Sequence, residues 1–157
     1  MPLSMPLPRP RRTALALAAG LLIAPLAAHA ESAAPAIEVY KSPSCGCCVV
    51  WADYMRDNGF AVTETDTEDL YGMKALAGIP DDAASCHTAV VDGYVIEGHV
   101  PAEDVRRLLE EKPQAVGLSV PGMPPSSPGM DVPGYEGAPF ETLLVQRDGS
   151  TSVYARH

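Results

Sequence analysis

Apolar and polar residues alternate along Ala36-Ile37-Glu38-Val39-Tyr40-Lys41-Ser42, and a period of two over β-rich residues predicts a strand. Pro43 forces a turn there, and Ser44 is expected to cap the helix that follows. In CCVVWADYMRDNGF the spacing changes: Val50 and Tyr54, and Trp51 and Met55, stand four apart, and Asn58-Gly59 supplies the stop signal. Trp51 and Tyr54 read as core packing on that periodicity. AVTETD (61–66) predicts a second strand and EDLYGMKALAG (68–78) a second helix, followed by IPDDAASCH as a polar loop. In TAVVDGYVIEGH, Asp92-Gly93 is a hairpin turn between two short β runs. PAEDVRRLLEEKP (101–113) opens on Pro101, carries acids in its first turn and keeps Val105, Leu108 and Leu109 on one face, which predicts a third helix.

The order β-α-β-α-β-β-α over about 36–112 resembles the thioredoxin fold. The resemblance implies reactive cysteines between the first strand and the first helix, where Cys45, Cys47 and Cys48 stand. It also implies that the loop before the third strand, which carries a cis-proline in that fold, packs against them. Here the loop reads SCHTAVV, so the resemblance brings Cys86 toward the other three. AVGLSVPGMPPSSPGMDVPGYEGAPF is rich in Pro and Gly and is expected to be irregular; it is too long for a simple connector. FETLLVQRDGSTSVYARH predicts a hairpin turning at Asp148-Gly149 that adds to a sheet edge. The expected fold class is α/β: a thioredoxin-like core with a C-terminal Pro/Gly/Met-rich loop and β-hairpin extension over about 113–157.

Residues 1–30 read differently. Arg9, Arg11 and Arg12 precede an apolar run, TALALAAGLLIAPLAAHA, and Ala28-His29-Ala30 fits a signal-peptidase site. The segment is expected to be a cleavable signal peptide of the Sec type, because TALAL after Arg11-Arg12 matches the twin-arginine pattern poorly. Residues 31–157 then form one exported, periplasmic domain that is not embedded in the membrane. Three of the 11 Lys and Arg lie in the leader and none of the 20 Asp and Glu does, so residues 31–157 carry a formal charge of −12. Nucleic acid and anionic membrane surfaces demand the opposite sign and are excluded as partners.

All four cysteines, Cys45, Cys47, Cys48 and Cys86, fall in the exported part, where spare thiols tend to be oxidised. Two structural disulfides would be poor staples, since closing so short a loop constrains little chain. Cys45 and Cys48 alone make a C-x-x-C redox pair, in which Cys45 attacks and Cys48 resolves. Cys47 is one thiol too many for that purpose. At a helix N-terminus the free N–H groups favour thiolate. Adjacent helix residues point roughly 100° apart, so Cys47 and Cys48 suit several bridged ions better than one chelated ion. Soft sulfur ligands point to Cu(I) first and zinc second, zinc lacking its usual paired spacing here.

His87 adjoins Cys86 and is a further candidate ligand, against the reading of a surface loop histidine. His99 is expected to be a hydrogen-bonded turn residue, and His157 a frayed end that reaches the site only if the tail folds back. Met123 and Met130, in PGMPPSSPGM, lie where no periodicity buries them; their thioethers are candidate Cu(I) ligands. Asp81 and Asp82 read as a solvated loop.

YKSPSCGCCVVWADYM, SCHTAVVDGYVIEGHVPAEDVRRLL and AVGLSVPGMPPSSPGMDVPG, in that order, resemble the periplasmic CxCC copper-resistance family called CopG, often described only as a domain of unknown function. The resemblance implies a cysteine-bridged multinuclear copper cluster and interconversion of Cu(I) and Cu(II); the alternative of a passive copper chaperone or store shares the site but not the redox cycling. By position the resemblance makes Cys45, Cys47 and Cys48 the motif thiols and Cys86 the distal one. Copper ions and periplasmic copper-efflux or copper-handling proteins are the expected partners, and the chain is expected to be a monomer.

Overall fold

The structure, a computed structural model, describes residues 33–157; the signal-peptide reading of residues 1–30 lies outside the described residues. Strands β1 (Ala36–Lys41), β2 (Ala61–Asp66), β3 (Thr88–Val91), β4 (Tyr94–Glu97), β5 (Ala115–Ser119), β6 (Glu141–Gln146) and β7 (Thr151–Arg156) form one mixed sheet in the order β2-β1-β3-β4-β5-β6-β7. Helices α1 (Gly46–Asp57), α2 (Leu70–Leu76) and α3 (Ala102–Glu111) supply the connections. Parallel neighbours need crossovers. Accordingly α1 lies between the parallel strands β1 and β2, and α3 between the parallel strands β4 and β5.

The alternation in β1 is realised, with Ile37, Val39 and Lys41 on the buried face. In α1 the buried stripe is Cys48, Trp51, Ala52 and Met55, while Val50 is exposed. Trp51 is fully buried among Ile37, Val39, Val100 and Leu118 and donates its indole N–H to the Val100 carbonyl at 3.0 Å. The Tyr54 hydroxyl accepts from the Ala102 N–H at 3.1 Å. These two bonds fix α1 against the start of α3, and with it the position of the cysteines at its mouth.

Three expectations need correction. Ser44 does not cap α1: Cys45 is the N-cap residue and makes no side-chain capping bond, because the Ser44 hydroxyl is paired with that of Ser42 at 3.1 Å. The second helix is shorter than 68–78 and buries no residue. The stretch expected to be irregular begins with a true strand, β5, which runs between β4 and β6. Its Ala, Gly and Ser, which lack strand preference, hide it, yet Gly117 suits it: a Cβ there would run into the Val95 carbonyl oxygen of β4. Beyond β5 the chain is irregular to Phe140, as expected.

The C-terminal hairpin joins the sheet through β6. It is pinned to α3 by buried Asp104, whose carboxylate accepts from the Thr142 hydroxyl at 2.6 Å and meets His157 Nε2 at 2.9 Å. His157 stacks on Phe140, so it is a structural residue and neither frays nor reaches the cysteines.

One buried ion pair shapes the segment between α2 and β3. Glu97, at the end of β4, is fully buried. Its carboxylate accepts from Lys74 Nζ at 2.6 Å, the Ser85 N–H at 2.6 Å and the Thr88 hydroxyl at 2.7 Å. Ser85 and Thr88 flank Cys86 and His87, so one carboxylate holds both ends of that dipeptide. Lys74 also ties α2, which has no buried residue of its own, to Thr88 and Glu97.

Two outcomes follow. Lys74→Met strands a buried carboxylate and is expected to lower the unfolding free energy by about 3–5 kcal/mol, read from denaturant midpoints. Adding Glu97→Gln recovers part of that loss, and a loss below about 1 kcal/mol for the single variant would mean the pair behaves as an exposed one. Gly129 has φ +84°, and a Cβ there would lie 2.8 Å from the Trp51 nitrogen. Gly129→Ala is therefore expected to cost about 1–3 kcal/mol by the same measurement, and an unchanged midpoint would contradict the seating of this loop on α1.

Candidate metal centre

The turn at Ser42-Pro43-Ser44 closes with the Cys45 N–H donating to the Ser42 carbonyl at 3.0 Å. This sets Cys45 as the N-cap, with Cys47 and Cys48 in the first turn of α1. With no side-chain cap, the first amides of α1 remain open to negative charge on the sulfurs. Cys48 points inward and is buried, while Cys45 and Cys47 are half-buried. Cys45 and Cys48 are joined as a disulfide with Cα atoms 5.3 Å apart; Cys47 and Cys86 are free. The four-thiolate set expected from the sequence therefore requires reduction of that bridge.

Cys86 arrives from the other side. The Sγ atoms of Cys45, Cys47, Cys48 and Cys86 all lie within 4.8 Å of one another, with Cys45 and Cys47 Sγ 3.7 Å apart. Cys48 Sγ lies 3.9 Å from the Cys86 carbonyl. The approach of Cys86 to the triplet, which the fold resemblance implies, is thus present.

His87 is not a surface loop residue. It is fully buried, with its ring 4.4 Å from that of Trp51 and 5.2 Å from that of His99. Its Nδ1 stands 3.3 Å from Cys86 Sγ, and its buried Nε2 has no hydrogen-bond partner among the described residues. His99, expected to be a turn residue, is equally buried and places Nε2 3.0 Å from Cys86 Sγ. Its Nδ1 lies 2.7 Å from the Pro128 carbonyl. A carbonyl only accepts, so Nδ1 carries the proton and Nε2 turns its lone pair toward the sulfur. Cys86, His87 and His99 form a second group whose ligand atoms lie within 4.8 Å of one another.

The sequence carried a signal for His99. The two-residue Asp92-Gly93 turn sets the pairs Val91↔Tyr94 through Thr88↔Glu97. Continued two residues further, the same register sets Cys86 opposite His99, and the Gly98 N–H duly donates to the His87 carbonyl at 3.0 Å.

The extension loop closes over this centre from the C-terminal side. Ser85 bridges to Gly122, with its hydroxyl donating to the Gly122 carbonyl, Pro128 binds His99, and Gly129 rests on Trp51. Met130, next in the chain, is half-buried, whereas Met123 is 53% exposed. Asp81 and Asp82 are exposed, as expected of a solvated loop.

Burial pushes the Cys86 thiol up to about 12, with the nearby Cys47 adding to the effect. Burial holds His87 well below the usual histidine range, reinforced by His99 and Lys74. His99 is also lowered by burial, against the opposing pull of the Pro128 carbonyl. Both imidazoles are therefore neutral lone-pair donors. The donors are thiol sulfur and imidazole nitrogen, with no carboxylate in either group. That is a soft to borderline set, suited to Cu(I) or zinc and unsuited to hard cations. The unpartnered His87 nitrogen and the half-buried Cys86 thiol are both groups that a bound cation would engage.

Among the described residues no helix is long and apolar enough to cross a membrane. Residues 83–130, which contain Cys86, His87, His99 and both loop methionines, match the family described as protein of unknown function, DUF411. No curated protein sequence matches the chain. Two solved structures of a copper resistance protein, copG, do. Form 2 is 40% identical, covering 79% of this chain and 98% of that chain with a TM-score of 0.74. Form 1 is 41% identical, covering 78% and 96% with a TM-score of 0.73. With the cysteine cluster in place and near-complete coverage of that protein, the chain belongs to the CopG copper resistance protein family.

Proposed function

We propose that this protein is an exported, periplasmic copper-resistance factor that holds Cu(I) as its cargo in a multinuclear thiolate cluster and changes the oxidation state of that copper. The observation that carries the reading is the convergence of four sulfurs from two separate segments within 4.8 Å. Two thiols suffice for disulfide exchange, while thiolates crowded this closely can each bridge two Cu(I) ions. In the reduced protein Cys45, Cys47, Cys48 and Cys86 are the ligands. His87 and His99 complete the set from the side of Cys86, and of the two candidate methionines Met130 is the less exposed. Zinc is the second choice, since a single tetrahedral ion would leave part of this donor set unused.

A monomer with copper-efflux or other copper-handling proteins as partners fits the site, whose mouth at α1 is partly open. Residues 31–157 would then be the mature chain, with residues 1–30 as its signal peptide.

The Cys45–Cys48 disulfide favours a second reading, a metal-free thiol-disulfide oxidoreductase in which half-exposed Cys45 attacks and buried Cys48 resolves. That enzyme would keep its exchange activity in Cys47→Ser and Cys86→Ser, because neither residue takes part.

Anaerobic Cu(I) titration of the reduced protein, with elemental analysis, separates the two. The cluster reading expects more than one Cu(I) per chain, a lower stoichiometry in Cys47→Ser and Cys86→Ser, and affinity for the remaining copper weakened at least about tenfold, or about 1.4 kcal/mol. Wild-type copper uptake in both variants, or none in the parent protein, would contradict it.

A further inference from the structure

The disulfide divides the four cysteines unequally. Cys45 and Cys48 are oxidised, while Cys47 and Cys86 remain thiols, Cys47 Sγ only 3.7 Å from Cys45 Sγ and Cys86 within van der Waals reach of both histidines. One pair is thus placed to exchange electrons, and the other to keep hold of a metal while it does.

We infer that the Cys45/Cys48 dithiol is the internal electron source of the centre: it reduces two Cu(II) ions to Cu(I), closing as the disulfide, and the Cu(I) produced stays on Cys47, Cys86, His87 and His99. This rests on the copper reading above and names the reductant within it. The step balances: two thiols and two Cu(II) give one disulfide, two Cu(I) and two protons. The S–S bond forms, both S–H bonds break, each copper gains one electron and the protons leave to water. Cu(II), the substrate, is the only oxidant required.

Three features of the centre support this division of labour. The Cα separation of 5.3 Å for Cys45 and Cys48 lies in the ordinary disulfide range, so the pair closes within the helix mouth that the folded protein already has. A dithiol yields electrons in pairs, whereas copper accepts them singly. A mononuclear site would strand one electron as a sulfur radical, and a centre holding two ions does not. This gives the surplus cysteine a function, since Cys47 with Cys86 retains copper after Cys45 and Cys48 have been oxidised. Finally, His99 offers a lone pair fixed by the Pro128 carbonyl, so a nitrogen ligand is in place whatever the state of the dithiol.

The test uses the full described chain, reduced, freed of reductant and kept anaerobic. CuSO4 is added, Cu(I) is counted with a colorimetric chelator after denaturation, and cysteines are assigned by alkylation and peptide mass spectrometry. Two Cu(I) and two lost thiols per chain are expected, with the bridge mapped to Cys45–Cys48 and with Cys47 and Cys86 alkylated. Cys48→Ser is expected to abolish the two-electron reaction. A folded Cys48→Ser protein, verified by circular dichroism, that still yields two Cu(I) overturns the proposal; so does a bridge that includes Cys47 or Cys86, or loss of all four thiols. Should Cys48→Ser fail to fold, the mapped bridge in the parent protein decides. Copper supplied directly as Cu(I) separates the two claims: uptake of Cu(I) without reduction of Cu(II) sinks this inference alone, and no uptake sinks the copper reading itself.

Discussion

Glu97 is a carboxylate with no exposure to water, and it is tolerated there because Lys74, the Ser85 amide and the Thr88 hydroxyl all donate to it. A buried charge left unpaired would cost several kcal/mol, so the chain cannot shift any of these partners independently. Ser85 and Thr88 bracket Cys86 and His87. The hairpin register then carries the constraint across to His99, and Ser85 passes it to the extension loop through Gly122. From the opposite side, the Trp51 and Tyr54 bonds fix α1. The candidate metal centre lies between these two pinned segments, which is why cysteines from distant parts of the chain converge.

The electrostatics of the centre point the same way as its geometry. Burial keeps Cys86 protonated and both histidines neutral, so without a cation the site is a collection of desolvated, weakly paired donors. A soft cation changes that balance, because the thiol gives up its proton to become a ligand and the imidazoles already present lone pairs. The same centre holds the one disulfide among the described residues. The oxidised pair, Cys45 and Cys48, and the two free thiols, Cys47 and Cys86, thus stand in one cluster of donors whose sulfurs lie within 4.8 Å of one another.

Much of this was legible in the sequence, and what was not has physical causes. Strand β1 and helices α1 and α3 follow from apolar period, because each buries one face against the same core, and both hairpins follow from their turn residues. β5 escapes notice since Ala115-Val116-Gly117-Leu118-Ser119 has little intrinsic strand character. It is stabilised by neighbours on both sides, a context that no local pattern encodes. Nothing local marks Glu97 as buried, since its partner Lys74 lies on a different element. His99 is an intermediate case, as the turn that sets it opposite Cys86 is plain, but the pairing is felt only when the register is continued past the strand ends. Ser44 shows the converse failure, a good capping residue diverted by a neighbouring hydroxyl.

The central claim is that copper sits in a sulfur-bridged cluster spanning the mouth of α1 and Cys86. X-ray absorption at the copper K-edge of the anaerobically Cu(I)-loaded protein tests it most directly. The account predicts a first shell dominated by sulfur, a minor nitrogen contribution and scattering from a neighbouring copper. A first shell of nitrogen and oxygen alone, with no copper neighbour, would contradict it.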